Sequence, residues 1–187
     1  MAHEFELHKE IELDATPEQV WEAIATGPGI DSWFMDRNQV EPCQGGWETE
    51  YEAMKEGWDM YLHALAQYLT HFLGRAATVV SAVRPQAAAR EHAWAVLRSE
   101  LGLTGTVTEG DPVRLTVPGL PPAEGIVDYA GPPTCLGVRT SDGLYRFIHS
   151  GPQRGDVMIV GHHIFSDDAD LEETEQAWQS WLTRLFA

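Results

Sequence analysis

Cationic residues are scarce in this chain. Its 187 residues hold 12 Lys and Arg against 29 Asp and Glu, a formal net charge of −17 at pH 7. Such a surface repels nucleic-acid backbones and anionic lipid headgroups, so neither nucleic acid nor membrane is expected as a partner. Long hydrophobic runs are missing too, since none approaches the roughly 20 residues of a membrane-spanning helix. The opening Met1-Ala2-His3-Glu4 is acidic and unlike a secretory leader. Cysteine is limited to Cys43 and Cys135, whose spacing fits neither a disulfide framework nor a metal motif, so a reduced, cytoplasmic setting is expected. Signatures of catalysis are equally thin. There is no His-Glu-x-x-His pair, Gly45-Gly46 is not a phosphate loop, and Ser32, Ser81, Ser150 and Ser166 lack a nucleophile-elbow context. No metal and no cofactor is expected, and no reaction is assigned.

What is present is enough for a core: 43% of the residues are apolar and seven are Trp. Residues 4–13 alternate. Phe5, Leu7, Ile11 and Leu13 share one parity, and Glu4, Glu6, His8, Glu10 and Glu12 share the other, which predicts a half-wet strand. Thr16, Pro17 and Gln19 form a capping-box start for a helix carrying Val20, Trp21, Ala23 and Ile24. Gly27-Pro28-Gly29 is expected to end it, ahead of a short helix with Trp33 and Phe34. Residues 47–73 then read as one long helix of about 40 Å at ~1.5 Å per residue. Its stripe runs through Tyr51, Met54, Trp58, Tyr61, Leu62, Leu65, Tyr68, Leu69 and Phe72 in steps of three and four. Gly57 interrupts it.

The second half reads as a fuller sheet. A strand is expected at 76–83, a helix at 86–101 ended by Gly102, and β-runs at 104–108, 112–117, 123–129, 134–140, 143–149 and 156–165. Turn residues divide the runs in the manner of an antiparallel meander, with Asp142-Gly143 a hairpin signal. Asp170 caps a closing helix whose stripe is Leu171, Thr174, Trp178, Trp181, Leu182 and Leu185.

The stretch "FELHKEIELDATPEQVWEAIATGPGIDSWFM" resembles the opening of START-like, helix-grip (polyketide cyclase-like) proteins. The nearest branch is that of the heat-shock-protein-90 ATPase activator homologues, whose closing helix "YEAMKEGWDMYLHALAQYLTHF" resembles, Gly57-Trp58 included. Members carry several strands between these segments; here about a dozen residues stand there. The resemblance therefore implies an α+β fold, an antiparallel sheet wrapped on long helices, with an incomplete N-terminal unit at 1–74 and a complete smaller unit at 75–187. An isolated strand and helix must bury their apolar faces somewhere. A homodimer, or an intrachain dock, burying Trp58, Leu62, Leu65 and Leu69 is expected.

The resemblance also implies an apolar cavity between sheet and closing helix that binds a hydrophobic small molecule. Tyr129, Tyr145, Phe147, Met158, Val160, Trp178 and Trp181 are the candidate lining, unless they are plain core. His149 shares the parity of Tyr145 and Phe147, with Arg146 opposite. His162 and His163 point to opposite faces, so one of them turns inward. One of these histidines is the candidate polar anchor, able to donate and accept when neutral and to eject an apolar ligand on protonation near about pH 6–7. The alternative function is a protein-interaction or chaperone-activator-like regulatory module, which predicts an exposed apolar patch beside acidic residues.

Overall fold

The structure, a computed structural model, describes residues 8–34, 47–131, 134–166 and 169–187, with side chains of the long helix described from Gly57 onward. The chain divides into two compact units, Met1–Gly74 and Arg75–Ala187.

The regular elements among the first unit's described residues are all helices. Helix α1 (Pro17–Ala25) starts at the predicted capping box, with Thr16 and Gln19 exchanging side-chain and backbone hydrogen bonds. Helix α2 (Gly27–Asp31) begins where a break is expected, because Thr26 caps it through Gly29 N–H. Gly29 is essential there: a Cβ would lie 2.1 Å from the Glu22 carbonyl oxygen. The Trp33 indole closes the pair by donating to the Ala23 carbonyl at 3.0 Å. Helix α3 (Trp47–His71) buries Met60, Ala64, Leu65, Tyr68 and Leu69, a stripe of the predicted spacing. Trp58 is 42% exposed in the single chain, while Tyr61 stacks on Phe34. Cys43, Tyr51 and Met54 lie outside the described side chains. The predicted strand at 4–13 needs correction: residues 8–13 are irregular and residues 4–7 lie outside the described ones. Lys9 pairs with Asp59 of α3 at 2.5 Å instead.

The second unit is α+β, as expected. A six-stranded, wholly antiparallel sheet has the order β1-β6-β5-β4-β3-β2. The strands are β1 (Thr78–Arg84), β2 (Pro112–Leu115), β3 (Ala123–Gly131), β4 (Cys135–Thr140), β5 (Gly143–His149) and β6 (Met158–Ile164). Strands β2 to β6 form the predicted meander, and β1 closes beside β6. Ser141 and Asp142 alone connect β4 to β5. Residues 104–108, expected as a strand, are not one. Gly105 and Gly110 hold positive φ, and Asp111 binds Thr108 through its backbone N–H and its hydroxyl, which makes a turn rather than a ladder. Helix α4 (Arg90–Glu100) begins later than expected because Gln86 adopts φ 51° and breaks the path.

Helix α5 (Leu171–Leu185) starts at Asp170, whose carboxylate accepts from Glu173 N–H. Its Trp178, Trp181 and Leu182 join Val80, Val127, Leu136, Val138, Phe147, Met158 and Val160 in one core, with Ala93, Leu97 and Leu101 contributed from α4 and its end. Alternation puts the opposite parity on the other face of the sheet. There Arg146, 1% exposed, lies across Asp128 in a two-pronged pair, Nη1–Oδ1 3.0 Å and Nη2–Oδ2 2.8 Å. The pair's balance of charge, rather than either charge alone, is what the fold tolerates. Asp128→Ala should cost about 3–5 kcal/mol, with much of it recovered in Asp128→Leu/Arg146→Met. Urea titrations of the three proteins compare them, and equal losses in the single and double variants would contradict this account.

Candidate functional site

One pocket of about 660 Å³ opens between the sheet and the N-terminal end of α5. Its apolar wall is Leu115, Val117, Leu120, Pro121, Pro122 and Ile164, most of it from the segment joining β2 to β3. Its polar side is Thr140, Asp142, Tyr145 and His162, with Trp178 beside them. Glu124, Asp170 and Glu173 stand on the same lining, which carries no Lys or Arg among its described residues.

The polar side is built by strand register. Tyr145 and His162 are direct cross-strand neighbours on β5 and β6, and their rings stack with centroids 4.0 Å apart. Trp178 meets His162 edge-on and donates its indole N–H to Nδ1 at 3.3 Å. Indole is a donor only, so Nδ1 is the bare nitrogen and the proton of the neutral ring sits on Nε2. That Nε2 has no hydrogen-bond partner among the described residues. The Thr140 hydroxyl, on the same lining as Tyr145, lies 2.9 Å from Asp142 Oδ1. A carboxylate only accepts, so Thr140 donates to Asp142, and its oxygen in turn accepts from the Asp142 backbone N–H at 3.4 Å. Gly143 makes the room. A Cβ at that position would lie 3.0 Å from both His162 Nε2 and the Tyr145 hydroxyl.

Burial sets the protonation states. The His162 imidazole is pushed down to about 3, first by loss of water and then by neighbouring His163. The expected change of charge near neutral pH therefore does not belong to this ring. The Tyr145 phenol is pushed up to about 12, mainly by burial, with Thr140 opposing and the Asp142 charge adding. Cys135 is likewise raised to about 12 by burial, which leaves a thiol rather than a thiolate.

The other expected site residues are distributed differently. Phe147, Met158, Val160 and Trp181 lie in the core behind the pocket and do not line it; the Trp181 indole N–H is buried without a partner among the described residues. His149 is a correction. Its Nε2 donates to the Ala88 carbonyl and its Nδ1 accepts from Gly151 N–H, both at 3.0 Å, so backbone takes both nitrogens. His163 alternates to the opposite face. Tyr129 does too, because a bulge between Val127 and Tyr129 reverses the parity of β3. It sits across from Gly137, beside Asp128 and Arg146. Thr140 and Asp142 were absent from the sequence expectation, since "SDG" reads only as a turn. So were Pro121 and Pro122. The one signal for Thr140 and Asp142 is their place at the hairpin that leads into Tyr145.

No family model matches the chain, and no curated protein matches it. Solved structures do. The crystal structure of DynU16, from the dynemicin biosynthetic locus, is 15% identical with a TM-score of 0.47; the match covers 57% of this chain and 45% of that one. The Bacillus halodurans protein BH1534 is 14% identical with a TM-score of 0.44, over 59% of this chain and 97% of its own. The di-domain ARO/CYC StfQ of the steffimycin biosynthetic pathway is 7% identical with a TM-score of 0.37, over 78% and 58%. This chain thus spans under half the length of DynU16.

Because the fold holds His162 neutral, unfolding releases the ring to its ordinary value of 6.5. The unfolded chain then binds the extra proton between about pH 6.5 and about 3, so the ring's contribution to stability is complete above that window and is lost as pH falls through it. His162→Phe should therefore lose less melting temperature than the parent between about pH 7 and about pH 4. Parallel slopes in differential scanning calorimetry would show that His162 titrates normally.

Proposed function

We propose that the 75–187 unit binds an apolar small molecule in the pocket between its sheet and the start of α5, without an assigned reaction. One observation carries the reading. An apolar wall of Leu115, Val117, Leu120 and paired prolines faces a small set of convergent polar groups, among them an unspent N–H on His162. Ligand sites have this composition: apolar area supplies affinity and a few fixed polar groups supply orientation. The raised phenol of Tyr145 and the lowered imidazole of His162 keep both groups uncharged at neutral pH, which suits an apolar guest.

A second reading, a protein-interaction module or a homodimer, is favoured by one feature of the first unit. Trp21 is 68% exposed and Ile24 next along α1 is exposed with it, in a helix that also carries Glu18 and Glu22. Trp21→Ser tests this reading: it should leave ligand binding intact and change only the subunit count in sedimentation, if a copy of the chain covers that face.

For the pocket, the suited probe is uncharged, because the lining is acidic. N-phenyl-1-naphthylamine should bind the parent with enhanced emission and quench Trp178. Ala169→Trp, which places a ring in the opening, should weaken binding by about tenfold or more, roughly 1.4 kcal/mol. Unchanged affinity in a folded Ala169→Trp protein would rule this pocket out as the site.

A further inference from the structure

We infer that the guest of this pocket is a cationic amphiphile, an apolar body on the buried floor with a protonated amine at the acidic rim. The inference rests on the pocket reading above and specifies its ligand.

The lining sorts by depth. Leu115, Val117, Tyr145, His162, Ile164 and Trp178 are buried, whereas Asp142, Asp170 and Glu173 are exposed. The floor is therefore apolar with uncharged polar groups, and the charge stands at the rim. The floor is also short of one partner. His162, 7% exposed, lines it with an Nε2 that has no hydrogen bond among the described residues. The three rim carboxylates come from two places in the chain, the β4–β5 hairpin and the start of α5, and the fold brings them to one opening. Asp142 Oδ1 accepts from the Thr140 hydroxyl at 2.9 Å, and Asp170 Oδ1 accepts from the Glu173 N–H at 3.0 Å. Both donors are neutral, so each bond leaves the negative charge in place. Among the described residues no Lys or Arg pairs with any of the three. Glu124 lies on the lining too, but Arg114 is its cross-strand neighbour, so its charge is locally offset. Arg75, which donates to the Ser141 carbonyl at 3.3 Å, and the positive end of α5 subtract from the rim field. Three full negative charges exceed both. An ammonium group gains from that field only at the rim, since on the floor it would lose its water with no charge to pair. An uncharged guest gains the floor alone, and a carboxylate is repelled at the opening.

Four ligands on one ring system test this: naphthalene, 2-naphthalenemethanol, 2-naphthylmethylamine and 2-naphthoate, each used at pH 7 to displace N-phenyl-1-naphthylamine from the full chain. At about 50 mM salt the amine should bind about threefold to tenfold tighter than the alcohol, its uncharged counterpart, with naphthoate weakest of the four. At about 500 mM salt the amine and the alcohol should converge, because the rim is exposed and its field is screened. Glu173→Gln should remove part of the amine's advantage. Asp142→Asn/Asp170→Asn/Glu173→Gln should remove it, since each amide loses the charge and keeps an acceptor oxygen for the Thr140 hydroxyl or the helix cap. Glu91→Gln, which alters a glutamate in the first turn of α4 and off the lining, should leave the advantage unchanged. Equal affinity of amine and alcohol at low salt, or tightest binding of naphthoate, overturns the cation assignment and leaves the pocket standing. An advantage that Glu91→Gln lowers as much as Glu173→Gln does also overturns it, by tracing the effect to the overall charge of the chain. Failure of all four to displace the probe overturns the cation assignment, and unchanged probe binding in Ala169→Trp overturns the pocket with it. The parent salt series needs no variant, so the result stands even if the triple variant fails to fold.

Discussion

The tryptophan face of α5 pressed on the sheet is the contact on which the second unit depends. Trp178 and Trp181 meet at right angles, 5.3 Å apart, and both touch Phe147 from the middle of the sheet. Side chains this large bury ~150–250 Å² each, at about 25 cal/mol per Å², so they outweigh every polar contact on that face. The two indoles then diverge in role. The Trp181 N–H is buried and has no hydrogen-bond partner among the described residues. The Trp178 N–H reaches His162, and that bond fixes which nitrogen of the imidazole carries its proton. One residue is thus both core and part of the pocket, and the chemistry of the pocket follows from packing set elsewhere in the helix.

Alternation made much of this unit legible. The strict period of β5 and β6 is enough to put Tyr145 and Phe147 on one face and to require that one of His162 and His163 join them. The capping signals at Thr16 and Asp170 gave both helix starts, because caps are local and their chemistry is in the side chains themselves. The antiparallel order followed from short connections such as Ser141-Asp142, which leave no room for a crossover.

The failures share a cause: each depended on a contact distant in sequence or on a single backbone angle. Tyr129 was placed by parity, and one bulged residue reversed it. His149 has the right parity and still offers nothing, because Ala88, 61 residues away, takes one nitrogen and a turn at Gly151 takes the other. Residues 104–108 have strand-like composition, but two glycines at positive φ and the Asp111 carboxylate turn the chain. Thr140 and Asp142 were hidden for the opposite reason. Their local role as hairpin residues is so ordinary that it conceals their second one, lining the polar side of the pocket beside Tyr145.

The edges of the sheet carry a consequence for behaviour in a crowded solution. Val83 of β1 gives its N–H to the Gln179 amide oxygen and takes the amide N–H on its own carbonyl, at 3.3 and 3.0 Å. A side chain of α5 therefore occupies the place where a foreign strand would begin to pair. At the far margin, β2 is four residues long and opens with Pro112, which has no N–H to lend. An invading chain finds a plugged ladder on one side and a stub on the other. Strand addition at the native margins of this unit is thereby disfavoured, and α5, through Gln179, guards an edge of the sheet as well as its core face.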